Sequence, residues 1–148
     1  VVGLNSFGSL LWPRRIALPG DVAVFLSGGT LDLITPPLSE QLGLLRSLPA
    51  NPATRAVLVE GASHFSPVRV EGQSGGGQGE DVFQLGEELV GVQPLRVQAQ
   101  LEREIVRFLL DLERGRVSSS VQGGVEHLQV GDLHLHRLDQ NGAARFLD

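Results

Sequence analysis

Two apolar runs constrain this chain more than any other feature. Val22-Ala23-Val24-Phe25-Leu26 and Ala56-Val57-Leu58-Val59 contain no polar residue and no alternation. A strand with one wet face alternates, so an unbroken run fits a strand of a parallel sheet covered on both sides. The first run breaks at Ser27-Gly28-Gly29 and the second at Gly61. Each break is followed within a few residues by an ionisable side chain, Asp32 and then His64. In open α/β sheets the carboxyl ends of the strands are where ligands bind and reactive groups gather.

The segment between the runs predicts a helix. Thr35-Pro36-Pro37 opens it, with Thr35 as the expected cap and proline where a missing N–H costs nothing. Leu38, Leu42, Leu45 and Leu48 share one face, and Pro49 ends the segment. A longer helix is predicted over residues 95–114, opened by Pro94 and closed by Gly115. Val97, Leu101, Ile105, Phe108 and Leu112 form its buried stripe. Val1–Leu4 reads as a short strand, and residues 7–19, with Trp12, Pro13 and Arg14-Arg15, as a surface loop. Gly72–Gly79 is too rich in glycine to order itself cheaply, and residues 71–81 are expected to be a mobile insertion. No lysine or helix-opening hydroxyl follows it as a phosphate-binding loop requires.

After Arg116 the texture changes. Val125–Val130 and Leu133–Leu138 flank Gly131-Asp132, which predicts a two-residue β-hairpin. That register sets Val130 against Leu133, Leu128 against Leu135 and His127 against His136, with His134 beside Gln129. Three imidazoles on one face are a candidate divalent-metal site; a solvated polar face is the alternative. The expected organisation is an α/β domain over residues 1–114, with residues 115–148 as a hairpin tail appended outside its core.

Composition narrows the function. The 148 residues are 41% hydrophobic and 20% charged, as in soluble globular proteins, and no apolar run is long enough to span a membrane. No signal segment opens the chain, so a cytoplasmic setting is expected. A net charge of −5 without a basic stripe argues against nucleic acid. There is no cysteine, which excludes disulfides and thiolate metal sites, and no cofactor is expected. The chain begins Val1-Val2 and contains no methionine, as expected of a processed chain or a piece of a longer one.

A carboxylate beside a histidine can fix the imidazole's tautomer and stabilise it when it takes a proton from a serine. The bland alternative is a turn aspartate and an idle loop histidine. The segment Leu26-Ser27-Gly28-Gly29-Thr30-Leu31-Asp32-Leu33-Ile34-Thr35-Pro36 resembles the acid-bearing segment of α/β-hydrolases. Together with Glu40-Gln41 and Glu60-Gly61-Ala62-Ser63-His64-Phe65-Ser66, it is similar to a group of cyanobacterial α/β-hydrolases related to dienelactone hydrolases and lipases. The likeness covers roughly residues 1–114 and is carried mainly by the surroundings of Asp32 and His64.

By that resemblance the fold is the C-terminal half of an α/β-hydrolase parallel sheet with flanking helices. Asp32 is then the triad acid and His64 the general base in ester hydrolysis through an acyl-enzyme, with a small-molecule ester as substrate. Gly29, Ser63 and Phe65 would shape the site. The nucleophile elbow Gly-x-Ser-x-Gly, which precedes acid and histidine in such chains, is missing. Its nearest counterpart is Leu4-Asn5-Ser6-Phe7-Gly8, where Leu4 is bulky and no amphipathic helix follows. Ser6 therefore stands as a candidate nucleophile against the alternative that the elbow and the oxyanion-hole donors lie upstream of Val1. In that case Val1–Leu4 is the strand before the acid strand, and its open edge invites self-association. A non-catalytic binding or assembly module with the same fold is the remaining reading.

Overall fold

Burial on both faces is what the two apolar runs achieve. In a computed structural model that describes residues 1–8, 18–67, 93–116 and 124–147, β1 (Val2–Leu4), β2 (Phe25–Gly29) and β3 (Arg55–Val59) lie side by side and parallel. All of β2 and all of β3 but Arg55 are buried. Phe25 pairs with Val2 on one side and Arg55 on the other. Regular pairing therefore starts at Phe25, three residues later than the apolar run suggested. Val22–Val24 lead in from outside the ladder; the Val24 N–H is met instead by the Thr54 hydroxyl, 3.0 Å away.

The sheet continues beyond β3 with the opposite polarity. Strands β4 (Val125–Val130) and β5 (Leu133–Asp139) form the predicted hairpin in the predicted register. β5 then pairs antiparallel with β3, Leu58 opposite His136 and Ala56 opposite Leu138. The order is β1-β2-β3-β5-β4, a mixed sheet rather than a wholly parallel one. The hairpin expected as an appendage outside the core supplies two of the five strands. Its leucines explain this: Leu133 and Leu135 enter the core on one face of the sheet and Leu138 on the other.

Side-chain alternation along β2 and β3 divides the core. Phe25, Val57 and Val59 face α2 (Pro94–Glu113), which presents Val97, Leu101 and Phe108. The rings of Phe25 and Phe108 sit 5.6 Å apart and tilted. Leu26, Ala56 and Leu58 face the other way, onto α1 (Gly43–Ser47) and Ala143 of α3 (Gln140–Leu147). The result is an α/β arrangement with helices on both faces of the sheet.

The segment before α1 departs from expectation. Leu38–Leu42 forms a π-helical turn with Pro37 at its cap position and no side-chain cap. Leu42, Leu45 and Leu48 are buried as predicted, but Leu38 is 50% exposed. In α2, Leu112 is likewise exposed. No helix among the described residues is long and apolar enough to cross a membrane. The glycine-rich tract and the loop around Trp12 lie outside the described residues.

The hairpin is held by charge as well as by leucine. Arg137 of β5 donates Nε to Glu104 Oε2 at 2.8 Å and Nη2 to Glu104 Oε1 at 2.7 Å, a two-pronged contact with α2. Gln100 Nε2 adds a third donor to Glu104 at 2.9 Å, and Arg137 Nη1 reaches Glu126 of β4 at 3.1 Å. Burial works against the charged guanidinium, but its bonds to Glu104 and then Glu126 outweigh that, and its pKa rises above the ordinary arginine value.

Candidate active site

Asp32 and His64 reach each other because their two loops are stitched together beyond the strand ends. The Thr30 N–H donates to the Val59 carbonyl and the Leu31 N–H to the Ala62 carbonyl, each at 3.0 Å. The Gly61 N–H returns a bond to the Thr30 hydroxyl at 2.9 Å. Glycine at position 29 permits this approach: a Cβ there would stand 2.1 Å from the Ala62 carbonyl oxygen. Gly29→Ala is therefore expected to force the loops apart and destabilise the chain by about 3 kcal/mol, the upper end for overpacking. Urea denaturation, with His64 followed by NMR, measures both effects.

The two sequence-predicted residues meet. His64 Nδ1 lies 3.0 Å from Asp32 Oδ2. The Asp32 side chain is 0% exposed and the His64 side chain 22% exposed. A buried carboxylate needs donors for both oxygens, and Asp32 has four. Ile34 N–H and Thr35 N–H donate to Oδ1 at 3.0 and 2.7 Å, while the Thr35 hydroxyl joins His64 at Oδ2, at 2.7 Å. Thr35, expected as a helix cap, spends its hydroxyl here instead. It also lies 3.0 Å from His64 Nδ1, so the imidazole proton is shared between Oδ2 and the threonine oxygen. Because the carboxylate only accepts, the network assigns the tautomer with the proton on Nδ1 and a lone pair on Nε2. Among the described residues nothing hydrogen-bonds Nε2.

Thr35→Val keeps the shape and removes one donor to a buried charge. It is expected to cost about 1.5–3 kcal/mol, measured by the urea midpoint at unchanged slope.

Aromatic rings flank the imidazole. Phe65 meets it edge-on at 5.3 Å and Phe7 at 6.1 Å between centroids. The histidine loop is shaped internally: Ser63 N–H donates to Ser66 Oγ at 2.9 Å, and Phe65 N–H to Ser63 Oγ at 3.3 Å. Of the residues expected to shape the site, Gly29 sets loop spacing, Ser63 loop conformation and Phe65 one wall.

The Ser6 hydroxyl is not hydrogen-bonded to the histidine among the described residues. Its Oγ lies over Gly3, 2.6 Å from where a Cβ would be. Ser6 lines an apolar recess of about 310 Å³ with Phe7, Leu26 and Leu44. Sequence reasoning missed Asn5 altogether. Its amide Nδ2 donates to the His64 carbonyl at 2.7 Å and the Ser63 carbonyl at 3.3 Å. The available signal was an asparagine directly after a short strand, where left-handed backbone is common.

The hairpin histidines form a separate group. His127 and His136 face each other with Nδ1 atoms 2.6 Å apart, and His136 Nε2 lies 2.6 Å from Glu60 Oε1. Both nitrogens of His136 are thereby engaged, and His134 does not join them. Among the described residues no group of three or more His, Cys, Asp or Glu is placed to hold a metal, so the three-imidazole site is not formed.

No family model, curated protein or solved structure matches this chain.

Proposed function

We propose that Asp32 and His64 are the acid and general base of a serine hydrolase of esterase or lipase type. The serine and the oxyanion-hole donors would come from a part of the protein outside these 148 residues. One observation carries the reading: a saturated, buried carboxylate holds Nδ1 of a partly exposed histidine at 3.0 Å, while Nε2 stays unbonded among the described residues. That polarity is the one acyl transfer uses. His64 Nε2 takes the serine proton as Oγ attacks the ester carbonyl. It then returns the proton to the departing alcohol, leaving an acyl-enzyme. A water then attacks the acyl carbonyl and gives its proton to the same nitrogen, which passes it to the departing serine Oγ as the acid is released. Asp32 keeps the imidazole oriented and offsets its charge while it holds the extra proton.

The sequence likeness described above and the parallel run β1-β2-β3 with the pair at its carboxyl edge support the hydrolase fold as the setting. The absence of any described hydroxyl at Nε2 favours a second reading, a non-catalytic module that keeps the pair for structure. A fluorophosphonate probe, which labels only activated serines, separates the two. Labelling is expected on a longer chain extended upstream of Val1, and none on residues 1–148. A longer chain that stays unlabelled and cleaves no ester would refute the hydrolase. Labelling of Ser6 in the 148-residue chain would show the nucleophile to be internal.

Self-association belongs to the same proposal. β1 pairs only with β2 among the described residues, and its Val2 and Leu4 are 40% and 41% exposed. An open parallel edge recruits other strands. Light scattering of the 148-residue chain is expected to show mass above the monomer. A sharp, reversible thermal transition at monomeric mass contradicts this.

A further inference from the structure

We infer that Asn5 is a positioning residue for His64: its side-chain amide holds the histidine backbone so that the imidazole stays on Asp32. The inference rests on the reading of Asp32 and His64 as a working pair.

Asn5 is the first residue after β1, and its polar groups reach β2 and both loops of the site. Its N–H donates to the Ser27 carbonyl at 3.0 Å, extending the β1–β2 ladder by one bond. Its carbonyl lies 3.3 Å from the Thr35 hydroxyl, whose proton goes to Asp32, on the acid side of the site. Its Nδ2 donates to the carbonyls of His64 and Ser63, on the histidine side. The residue is 8% exposed, so these partners replace water.

The backbone shows what this placement demands. Asn5 has φ of +46°, in the left-handed region. Most side chains resist that conformation, while asparagine and glycine tolerate it. An extended residue would continue the strand and carry its side chain to another face. The left-handed turn ends the strand and delivers the amide to the histidine loop. Bonds among Ser63, Phe65 and Ser66 shape that loop internally, and Gln98 Nε2 ties its far end to α2 through the Ser66 carbonyl at 3.0 Å. Asn5 ties the near end, at His64 itself, to the sheet that also carries Asp32.

Asn5→Gly isolates the amide, because glycine keeps the left-handed turn at no steric cost. The readout is ¹⁵N NMR of the histidines in the 148-residue chain. In the wild type, His64 is expected in the Nδ1–H tautomer with a slowly exchanging Nδ1 proton. In a folded Asn5→Gly chain that exchange is expected to rise about tenfold, the equivalent of one lost hydrogen bond. The ring ¹⁵N shifts should move towards a tautomer mixture, while the signals of His127, His134 and His136 stay in place. An unchanged His64 pattern in the folded variant overturns the inference.

Should the variant not fold, the wild type still decides. Its Asn5 Nδ2 protons are expected to be protected from exchange, with coupling through the hydrogen bond to the His64 carbonyl carbon. Fast-exchanging, equivalent protons overturn it. In the longer chain, kcat is expected to fall with KM unchanged. A wild-type chain without esterase activity would remove the hydrolase reading and leave the NMR result standing.

Discussion

In a chain long enough to carry the proposed serine, Asp32→Asn is expected to lower ester turnover by about 10⁴-fold. The amide has one accepting oxygen for the four donors that the two carboxylate oxygens now satisfy, and its NH2 must face one pair of them. The imidazole is then free to put its proton on Nε2, where a base needs a lone pair. His64→Ala removes the base itself and is expected to cost about 10⁶-fold. Both losses belong in kcat, because neither group holds the ground-state ester, so KM should move by no more than a few-fold. Steady-state kinetics on a chromogenic ester measures the split. Equal activity in wild type and His64→Ala would end the assignment of His64 as base.

The second large effect is on stability. Arg137→Met keeps most of the side-chain volume but strips two charge-assisted bonds from Glu104, whose side chain is only 5% exposed. A buried carboxylate left with Gln100 as its one remaining donor in this network is expected to cost about 3–5 kcal/mol. Urea unfolding followed by circular dichroism gives the value. Replacing both partners, Arg137→Met with Glu104→Leu, is expected to recover most of it, since the penalty lies in the orphaned charge. A double variant as unstable as the single one would mean that Arg137 acts through packing instead.

What the sequence made legible follows from what is local. The hairpin register was readable because a two-residue turn fixes every pair beyond it, down to His127 against His136. Asp32 and His64 were readable because each follows an apolar run that ends at glycine. Position along a strand was less so: a hydrophobic run marks burial, and the ladder begins only where neighbours exist, at Phe25. Partnership across long separations was not readable at all. Leu133, Leu135 and Leu138 declare apolar faces but do not name β3 as the strand they join, some 80 residues earlier. Thr35 was misassigned for a related reason. A threonine before two prolines fits a cap locally, and only the folded chain shows a buried carboxylate competing for its hydroxyl. Asn5 carries no periodic signal; its role exists only once β2 and the loops of Thr35 and His64 are in place.

The pairing of β5 with β3 sets an order of events during synthesis. At the end of β3 the Glu60 N–H is met by the His134 carbonyl at 2.9 Å, immediately before the loop that carries His64. That acceptor leaves the ribosome more than seventy residues after the donor. The hairpin itself closes within microseconds of emerging, but the edge of β3 waits for it with open bonds. A ribosome stalled before residue 130 would thus hold both members of the acid–histidine pair, with the strand beneath the histidine loop still lacking its neighbour.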